Sequence, residues 1–468
     1  MKKHISILVA LVAGIFVISA FKDKPTQVTI SSKDSDSLAV TKIFDEVLVN
    51  GMAYENLRTL CTEAPKRLSG STGAQKGVDV TYRIMQSMGL DSVWKMECMV
   101  PHWERGTPEV GEMLVNGKPS HANICALGGS VATPSDGLTA EVIEVSDFKE
   151  LEGLGKKKVE GKIVFYNHPF DQRKPTSFEA YGEAVGYRWA GPHVAETYGA
   201  VAVIVRSMSS SLDTFPHTGV MRTDSLMAKI PSAAISTVDA EEMHRQIEAG
   251  KKVEFRMTMN CKWYEDNKSY NVIGEIRGSE HPEEVIVFGG HLDAWDLGNG
   301  AHDDGTGCVQ SIEVLRLFKA LNIRPKHTIR AVMFMNEENG GRGGDAYAKY
   351  AKDHNIKHIA AIESDAGGFT PRAFGITATP EQKAKVQSWQ PLFYRYGIYD
   401  FNGAGGGADI EDLKEQGTPL FGLEPDSQRY FDYHHTEVDT FDKVNKRELH
   451  LGAGGIAALV YLIDKYGL

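Results

Sequence analysis

The chain has 468 residues, of which 42% are hydrophobic and 24% are charged, and its formal net charge is -11 at pH 7. This length exceeds that of one ordinary domain and allows two domains with sizeable cores. The negative net charge and the lack of a basic cluster argue against a nucleic-acid partner.

The N-terminus has the pattern of an export signal. Two lysines precede an apolar run over residues 5–20, and a polar segment follows the small residue Ala20. This order is typical of a secretory signal peptide, although the bulky Ile18 leaves the cleavage position open. The run is short for a membrane span. We therefore expect residues 1–20 to be removed and the mature protein to be periplasmic or secreted, with no membrane association.

The five cysteines are scattered and form no CxxC pair. Their odd number argues against a disulfide scaffold, even in an exported protein. One bridge is allowed, and at least one thiol stays free. Cys308 lies in a stretch with helical spacing, and we expect it to pack in the core without a nucleophilic role.

The pattern of predicted secondary structure along the mature chain changes twice. One helix is predicted over residues 38–60 and an amphipathic helix over about 73–88. Short β-type runs begin near residue 125, and from about residue 265 longer strands alternate with helices, which indicates an α/β sheet domain. The predicted organisation is an α/β domain in two parts, 38–124 and 265–468, interrupted by a β-rich insert, 125–264.

Residues 291–307 combine histidines and aspartates with glycines, directly after an apolar run. Two later apolar runs lead to Glu337-Glu338 and to Asp365. In open α/β sheets, ligands bind outside the carboxyl ends of the strands. We therefore expect three strand ends to bring His291 and these carboxylates to one edge of one sheet.

Asp303 and Asp304 are expected to open a helix, where carboxylates suit the positive N-terminus. Clustered carboxylates do not all ionise side by side without a cation. Imidazole and carboxylate donors without thiolate favour zinc in a catalytic site. One zinc needs about three protein ligands, and the surplus here predicts two metal ions that share a bridging carboxylate.

Each of these features also has an ordinary structural explanation. A histidine at a strand end is usually a hydrogen-bonded loop residue, a pair of aspartates before a helix is usually a cap, and a pair of glutamates is usually a solvated turn. Their occurrence together at three successive strand ends favours the metal site.

The motifs resemble those of peptidase family M28, which includes two-zinc aminopeptidases and carboxypeptidases. The resemblance rests on HLDAWD, AHDDGTG, NEENGG, ESDAGG and HHTEVDT, and, for one carboxypeptidase subgroup, on RLSGS, PHWERG, YGEAVGYRWAGPHVAETYGA and GAGGGADI. It covers nearly the whole mature chain. It implies a mixed-sheet zinc-peptidase catalytic domain whose insert is a protease-associated-type domain.

The resemblance also implies a role for each matching residue. The implied ligands of two zinc ions are His291, Asp303, Glu338, Asp365 and His435. His291 and Asp365 would bind one ion, Glu338 and His435 would bind the other, and Asp303 would bridge both. Glu337 would be the general base that takes a proton from the activated water and passes it to the leaving amine. The same ligands would also accept Mn²⁺ or Co²⁺.

Further residues are expected around this centre, as a supporting layer or as substrate contacts: Asp293, Asp304, His434, Gly405, Gly406 and Asp409. Asp293 would fix the tautomer of His291. Adjacent side chains of an extended segment point to opposite sides, so His434 would not share the zinc of His435. It would either donate to the oxyanion or pack the loop. The two glycines would let the backbone approach a substrate.

Three different functions would fit parts of the same pattern. A receptor-like relative without activity would lack ligands or the base, and a single-zinc cyclase acting on N-terminal glutamine would need only one zinc triad. A broader M28 aminopeptidase would differ only in substrate. The resemblance implies small peptides, dipeptides with free ends, and a homodimer. His217 could reach the cleft or be an ordinary turn histidine.

Overall fold

The computed structural model describes residues 32–468, so the predicted signal peptide at 1–20 lies outside the described residues. These described residues form a seven-stranded sheet, an eight-stranded sheet and a two-stranded ribbon. Within residues 32–468, no helix is long and apolar enough to cross a membrane.

The N-terminal part is helical and then enters the seven-stranded sheet. Its elements are α1 (Ser32–Asn50), α2 (Ala53–Glu63), α3 (Thr72–Ser87), β1 (Ser92–Val100) and β2 (Trp103–Glu104). The single helix predicted over 38–60 is wrong, because the chain turns at Gly51, where a Cβ would collide with the carbonyl oxygen of Val47. The helix predicted over 73–88 is confirmed as α3, whose cap Ser71 Oγ accepts from the N–H of Ala74 at 3.1 Å.

The next part of the chain builds the eight-stranded sheet. Its elements are β3 (Val110–Val115), β4 (Lys118–Ala122), β5 (Ile124–Ala126), β6 (Leu138–Val145), α4 (Phe148–Leu154), α5 (Lys156–Val159), β7 (Ile163–Tyr166), α6 (Ser177–Trp189), α7 (Gly191–Thr197), β8 (Ala202–Arg206), β9 (Ser232–Ile235), α8 (Thr237–Glu248) and β10 (Val253–Thr258). We call residues 110–258 the insert.

The insert has the strand order β4-β3-β10-β6-β7-β8-β9-β5, with β6 to β9 parallel. The change of sheet comes before residue 110, earlier than the residue 125 that the sequence indicated, because β3 pairs with β10. Five helices lie between its strands, so the insert is itself an α/β unit and not merely β-rich.

The chain then returns to the seven-stranded sheet. The remaining elements are β11 (Lys262–Trp263), β12 (Asn267–Ile276), β13 (His281–His291), α9 (Thr306–Ala320), β14 (His327–Phe334), α10 (Arg342–Asp353), β15 (Lys357–Glu363), β16 (Pro371–Thr377), α11 (Pro380–Gln387), β17 (Leu420–Pro425) and α12 (Lys446–Tyr466). The strand order is β1-β12-β14-β13-β15-β17-β16.

This second sheet is mixed, as predicted. Strands β14, β13, β15 and β17 are parallel neighbours, and antiparallel strands flank them on both sides. Every residue of β14 is buried, which is typical of a strand covered on both faces. Because β14, β13 and β15 are adjacent and parallel, their carboxyl ends lie side by side at one edge.

Candidate metal centre

The three strand ends deliver the side chains that the sequence singled out. His291 is the last residue of β13, Glu337 follows the end of β14 by three positions, and Asp365 follows the end of β15 by two. The convergence predicted for these residues at one sheet edge is therefore confirmed.

His291 is buried, with both ring nitrogens engaged. Its Nδ1–H donates to the main-chain oxygen of Asp293 at 3.0 Å. Nε2 lies 3.2 Å from Asp303 Oδ1 and 3.4 Å from Asp365 Oδ1. Since Nδ1 donates in this bond, Nε2 is the nitrogen that faces two carboxylate oxygens and would be the one to bind a metal ion.

His435 repeats this arrangement on the other side of Asp303. Its Nδ1–H donates to the main-chain oxygen of Thr218 at 3.2 Å. Its Nε2 lies 3.0 Å from Glu338 Oε2 and 3.2 Å from Asp303 Oδ2. The two oxygens of Asp303 thus face two different histidines, which is the geometry a bridging carboxylate needs.

These contacts call for positive charge between the side chains. Asp303 Oδ2 and Asp365 Oδ1 are buried without a hydrogen-bond partner. Burial alone would lower the pKa of His435, but Glu338 and Asp303 raise it to about 10. Burial likewise opposes the raised pKa of His291, and Asp365 and Asp303 outweigh it. A metal ion would supply this charge in place of the protons, and the donor set fits zinc.

Two groups of donor atoms are compact enough to hold an ion. One atom from each of His291, Asp303 and Asp365 lies within 4.8 Å of the others, and the same is true of Asp303, His434 and His435. A space of about 10 Å³ is lined by Asp303, Glu338 and His435 together with Trp295. His434 does not line it, which favours Glu338 as the third donor of the second group.

The expectation that His434 and His435 point to opposite sides is wrong. Their rings stack, with centroids 3.5 Å apart and an interplanar angle of 20°, and His434 Nε2 lies 3.8 Å from Asp303 Oδ2. The segment is not extended, because His435 has a left-handed φ of 61°. This turn keeps both imidazoles beside the same carboxylate.

Glu337 is a partly exposed carboxylate of the centre, as is Asp365, whose side chain is 24% exposed. The side chain of Glu337 is 25% exposed, and its Oε2 lies 3.9 Å from His291 Nε2. Burial raises its pKa well above the ordinary value, and neighbouring carboxylates such as Asp365 add to this shift. A carboxylate that favours the protonated form is suited to accept a proton during a reaction.

Asp293 supports the centre in a different way from the one predicted. Its main-chain oxygen, and not its carboxylate, fixes the tautomer of His291. Its Oδ1 accepts from the N–H of Asn336 at 2.7 Å and of Glu337 at 3.1 Å. The carboxylate therefore holds the backbone that carries the two glutamates, because β14 lies beside β13 in the sheet.

The carboxylate of Asp304 accepts hydrogen bonds from both the end of β13 and the first turn of α9. Its Oδ2 accepts from the N–H of His291 at 3.0 Å, and its Oδ1 accepts from the N–H of Gly307 at 2.9 Å. As expected, an aspartate meets the N-terminus of α9, which begins at Thr306, but only the Asp304 carboxylate does so, and the backbone of Asp303 and Asp304 is not helical. Asp304 caps the helix from this preceding turn.

Two supporting residues were missed. Arg67 donates to the main-chain oxygens of Leu292 and Gly300, both at 2.6 Å, and also to that of Asn299. Asp439 accepts from the N–H of His302 at 2.8 Å and of Asp303 at 3.2 Å. Together they shape the loop that brings Asp303 to the centre. The sequence features that could have indicated them are the RLSGS motif, which begins at Arg67, and the motif HHTEVDT, whose aspartate is Asp439.

The glycine-rich segment near residue 405 packs against the sheet. A Cβ on Gly405 would collide with the backbone of Gly375 in β16. Gly406 lies against Leu420, and the N–H of Asp409 donates to Glu363 Oε2 at 3.1 Å. The close approach that these glycines permit is thus to the protein itself, and the substrate contact stays a prediction.

All five cysteines are buried and free. Cys308 lies within α9, and its thiol is 3.1 Å from the main-chain oxygen of His291. Burial, with Asp304 nearby, raises the pKa of this thiol well above its ordinary value, and a thiol is not a nucleophile. The core role predicted for Cys308 is confirmed.

Comparison with known proteins agrees with this geometry. The sequence profile of peptidase family M28 matches residues 271–460, which include all five donors. Carboxypeptidase Q from Bos taurus is 35% identical over 411 residues, which are 88% of this chain and 85% of that protein. A solved peptidase M28 precursor from Shewanella amazonensis is 31% identical, with a TM-score of 0.88 over 92% of this chain and 97% of that chain.

A more distant structure shares the fold. BSAP, a zinc aminopeptidase from Bacillus subtilis, is 20% identical and has a TM-score of 0.62 over 88% of this chain and 94% of that chain. The converging imidazoles and carboxylates, the family profile over them and the identity along most of the chain lead to one conclusion. The chain belongs to peptidase family M28 and is a metallo-exopeptidase related to carboxypeptidase Q.

Proposed function

We propose that the protein is an exported two-zinc peptidase that hydrolyses small peptides, dipeptides with free ends. The observation that carries the proposal is the position of Asp303, whose two oxygens lie 3.2 Å from His291 Nε2 and 3.2 Å from His435 Nε2. One zinc would be held by His291, Asp365 and Asp303, and the other by Glu338, His435 and Asp303. Mn²⁺ or Co²⁺ would be accepted in their place.

The residues around the ions have distinct tasks. When bound, two zinc ions supply the positive charge that acidifies water and polarises the peptide carbonyl. Glu337 accepts the proton from the attacking water and delivers it to the departing amine. Its main-chain N–H is held by Asp293, so the side chain starts from a fixed backbone position. His434 donates an N–H to the developing oxyanion.

Two cavities are lined both by the insert and by chain neighbours of the centre, Glu437 in one and Asn339 in the other. The first, of about 500 Å³, lies between Phe215 and Pro216 of the insert and Leu297 and Glu437 of the catalytic domain. A second cavity, of about 410 Å³, lies between Met227 of the insert and the segment that follows Glu338. Because the insert borders both cavities, we expect it to restrict peptide length.

A peptide panel tests the substrate class. A free dipeptide, its N-acetylated form, its C-amidated form and a longer peptide with the same first residues would be compared by kcat/KM. The proposal predicts that the free dipeptide is cut fastest and that each blocked form loses rate. If the longer peptide and the amidated dipeptide are cut as fast as the free dipeptide, the protein is a broader aminopeptidase.

Zinc content and activity together distinguish a dipeptidase from a receptor-like protein and from a cyclase. A receptor-like protein would cut none of these peptides, and a single-zinc cyclase would hold one ion and convert peptides with N-terminal glutamine. We also propose that the insert is a protease-associated-type domain, that residues 1–20 direct export, and that the protein is a homodimer. Sedimentation of the purified protein checks the last point.

A further inference from the structure

The insert contacts His435 through residues 213–218, which follow β8, and it also packs Tyr181 of α6 edge-on against His434, with ring centroids 5.4 Å apart. The N–H of Thr218 donates to the main-chain oxygen of His435 at 3.0 Å. In return, His435 Nδ1–H donates to the main-chain oxygen of Thr218 at 3.2 Å. The imidazole that faces Asp303 and Glu338 is thus oriented by a residue of the insert.

His217 binds the main-chain oxygen of His434, the residue before His435 in the same turn. It is 2% exposed, and its Nδ1–H donates to the main-chain oxygen of His434 at 3.0 Å. Its Nε2 lies 3.1 Å from Asp213 Oδ2. Both ring nitrogens thus face acceptors, one on the turn that carries His434 and His435 and the other on the Asp213 carboxylate.

Asp213 is in turn anchored within the insert. Ser209 Oγ donates to its Oδ2 at 3.1 Å, and its own N–H donates to Thr237 Oγ1 at 2.7 Å. His217 is fixed at its backbone as well, since its N–H donates to Ser207 Oγ at 2.8 Å. The pair is therefore rigidly attached to the eight-stranded sheet and bonded to the turn that carries His434 and His435.

That turn needs support from outside. His435 has a φ of 61°, and the left-handed region is unfavourable for a residue other than glycine. The main-chain oxygens of His434 and His435 both accept hydrogen bonds from residues 213–218. These bonds offset the cost of the conformation that stacks the two imidazoles beside Asp303.

We propose that Asp213 and His217 are positioning residues that set His435 as a ligand of the second zinc ion, so that the insert completes the metal centre as well as bordering the cleft. This inference rests on the proposed two-zinc function. It assigns His217, for which the sequence left two roles open, to the hydrogen-bonded frame of the centre and not to the substrate.

Zinc affinity of His217 variants tests the proposal. His217→Leu removes both hydrogen bonds, and we expect it to weaken binding of the second ion about 10- to 100-fold while the first ion stays bound. His217→Asn can still donate to the oxygen of His434 and should recover part of the affinity. His244→Leu is the matched control, since His244 pairs with Glu144 at 2.8 Å on the surface of the insert, away from the centre.

The readouts are zinc titration, the absorption spectrum of the cobalt-loaded protein and the separate values of kcat and KM. We expect His217→Leu to lose the spectral change of the second cobalt ion and to lower kcat more than it changes KM, with His244→Leu unchanged in all three. If His217→Leu binds both ions with wild-type affinity and has the wild-type spectrum, the proposal is overturned.

Two further results keep the outcomes distinct. If the wild-type protein itself binds fewer than two zinc ions, the proposed function fails, and the inference about His217 fails with it. If His217→Leu does not fold, Asp213→Asn decides, because it weakens the hold on the imidazole while keeping the shape of the side chain. We expect it to lower the affinity for the second ion about tenfold, and wild-type affinity would overturn the proposal.

Discussion

Glu337 and Glu338 are neighbours in the chain, but their carboxylates lie in different surroundings. The side chain of Glu337 is 25% exposed, and its Oε2 is 3.9 Å from His291 Nε2. The side chain of Glu338 is 2% exposed, and its Oε2 is 3.0 Å from His435 Nε2. One carboxylate is free to exchange a proton with a substrate, and the other is fixed beside an imidazole.

Substitution of the two glutamates should therefore have different effects. Glu337→Gln keeps every donor of the centre, so we expect full zinc content and thermal stability but a fall in kcat of about two orders of magnitude or more. Glu338→Gln should lose one zinc ion. Turnover and zinc content of the two purified variants check this, and wild-type turnover of Glu337→Gln with full zinc would remove Glu337 from the role of base.

The stacked histidines offer a second comparison. His435→Ala removes an Nε2 that faces both Asp303 and Glu338, so we expect it to weaken one metal site. His434→Ala should keep two zinc ions and mainly lower turnover, because its Nε2 is farther from Asp303. Zinc analysis of both variants decides the assignment. A metal lost from His434→Ala but not from His435→Ala would reverse it.

Arg67 should matter for stability although it contacts no ligand of the ions directly. Arg67→Met would leave three main-chain oxygens without their donor, and each buried unsatisfied group costs about 1–3 kcal/mol. We expect a loss of about 3 kcal/mol or more in the free energy of unfolding, measured with urea. Arg58→Met, at an exposed pair with Glu55, is the control and should change it by less than about 0.5 kcal/mol. A similar small change in Arg67→Met would contradict the role of the loop contacts.

Removal of metal should lower the melting temperature, more strongly at alkaline than at acid pH. An ion present at about one hundred times its dissociation constant stabilises the fold by about 2.7 kcal/mol. In the metal-free protein the pKa of His435 is raised to about 10. Its protonated form therefore stabilises the fold fully below the ordinary value of 6.5, and this stabilisation is lost as the pH rises through about 10.

Protons also compete with zinc for the same imidazole, so zinc binds more weakly as the pH falls. Thermal melts with and without chelator, compared at about pH 6 and about pH 8, check this prediction. Zinc, cobalt or manganese should restore the melting temperature. An equal effect of chelator at both pH values would contradict the competition between protons and metal.

The residue types at the strand ends could be predicted from the sequence because parallel strands end at a common edge. The chemistry of His291, Glu338 and Asp365 follows from that rule and from their spacing. The stacking of His434 on His435 could not, because it depends on one left-handed residue. The same is true of the target of the Asp293 carboxylate, because the N–H groups of Asn336 and Glu337 follow a different strand, β14.

Contacts between distant parts of the chain could not be predicted from the sequence either. The bond from His217 to His434 joins residues 217 positions apart, and nothing in the local pattern around FPHTG points to its partner. The edge of the insert was misjudged for the same reason. In the sequence, β3 follows the first part of the catalytic domain without a visible boundary. Its place in the insert depends on its pairing with β10, which lies more than a hundred residues later in the chain.

Anomalous diffraction at the zinc absorption edge, from crystals of the zinc-loaded protein, tests the sharing of Asp303 most directly. We predict two zinc peaks, one on each side of the Asp303 carboxylate. One would be bound by His291 and Asp365, and the other by Glu338 and His435. A single peak, or a second peak bound by His434 in place of Glu338, would contradict the proposed centre.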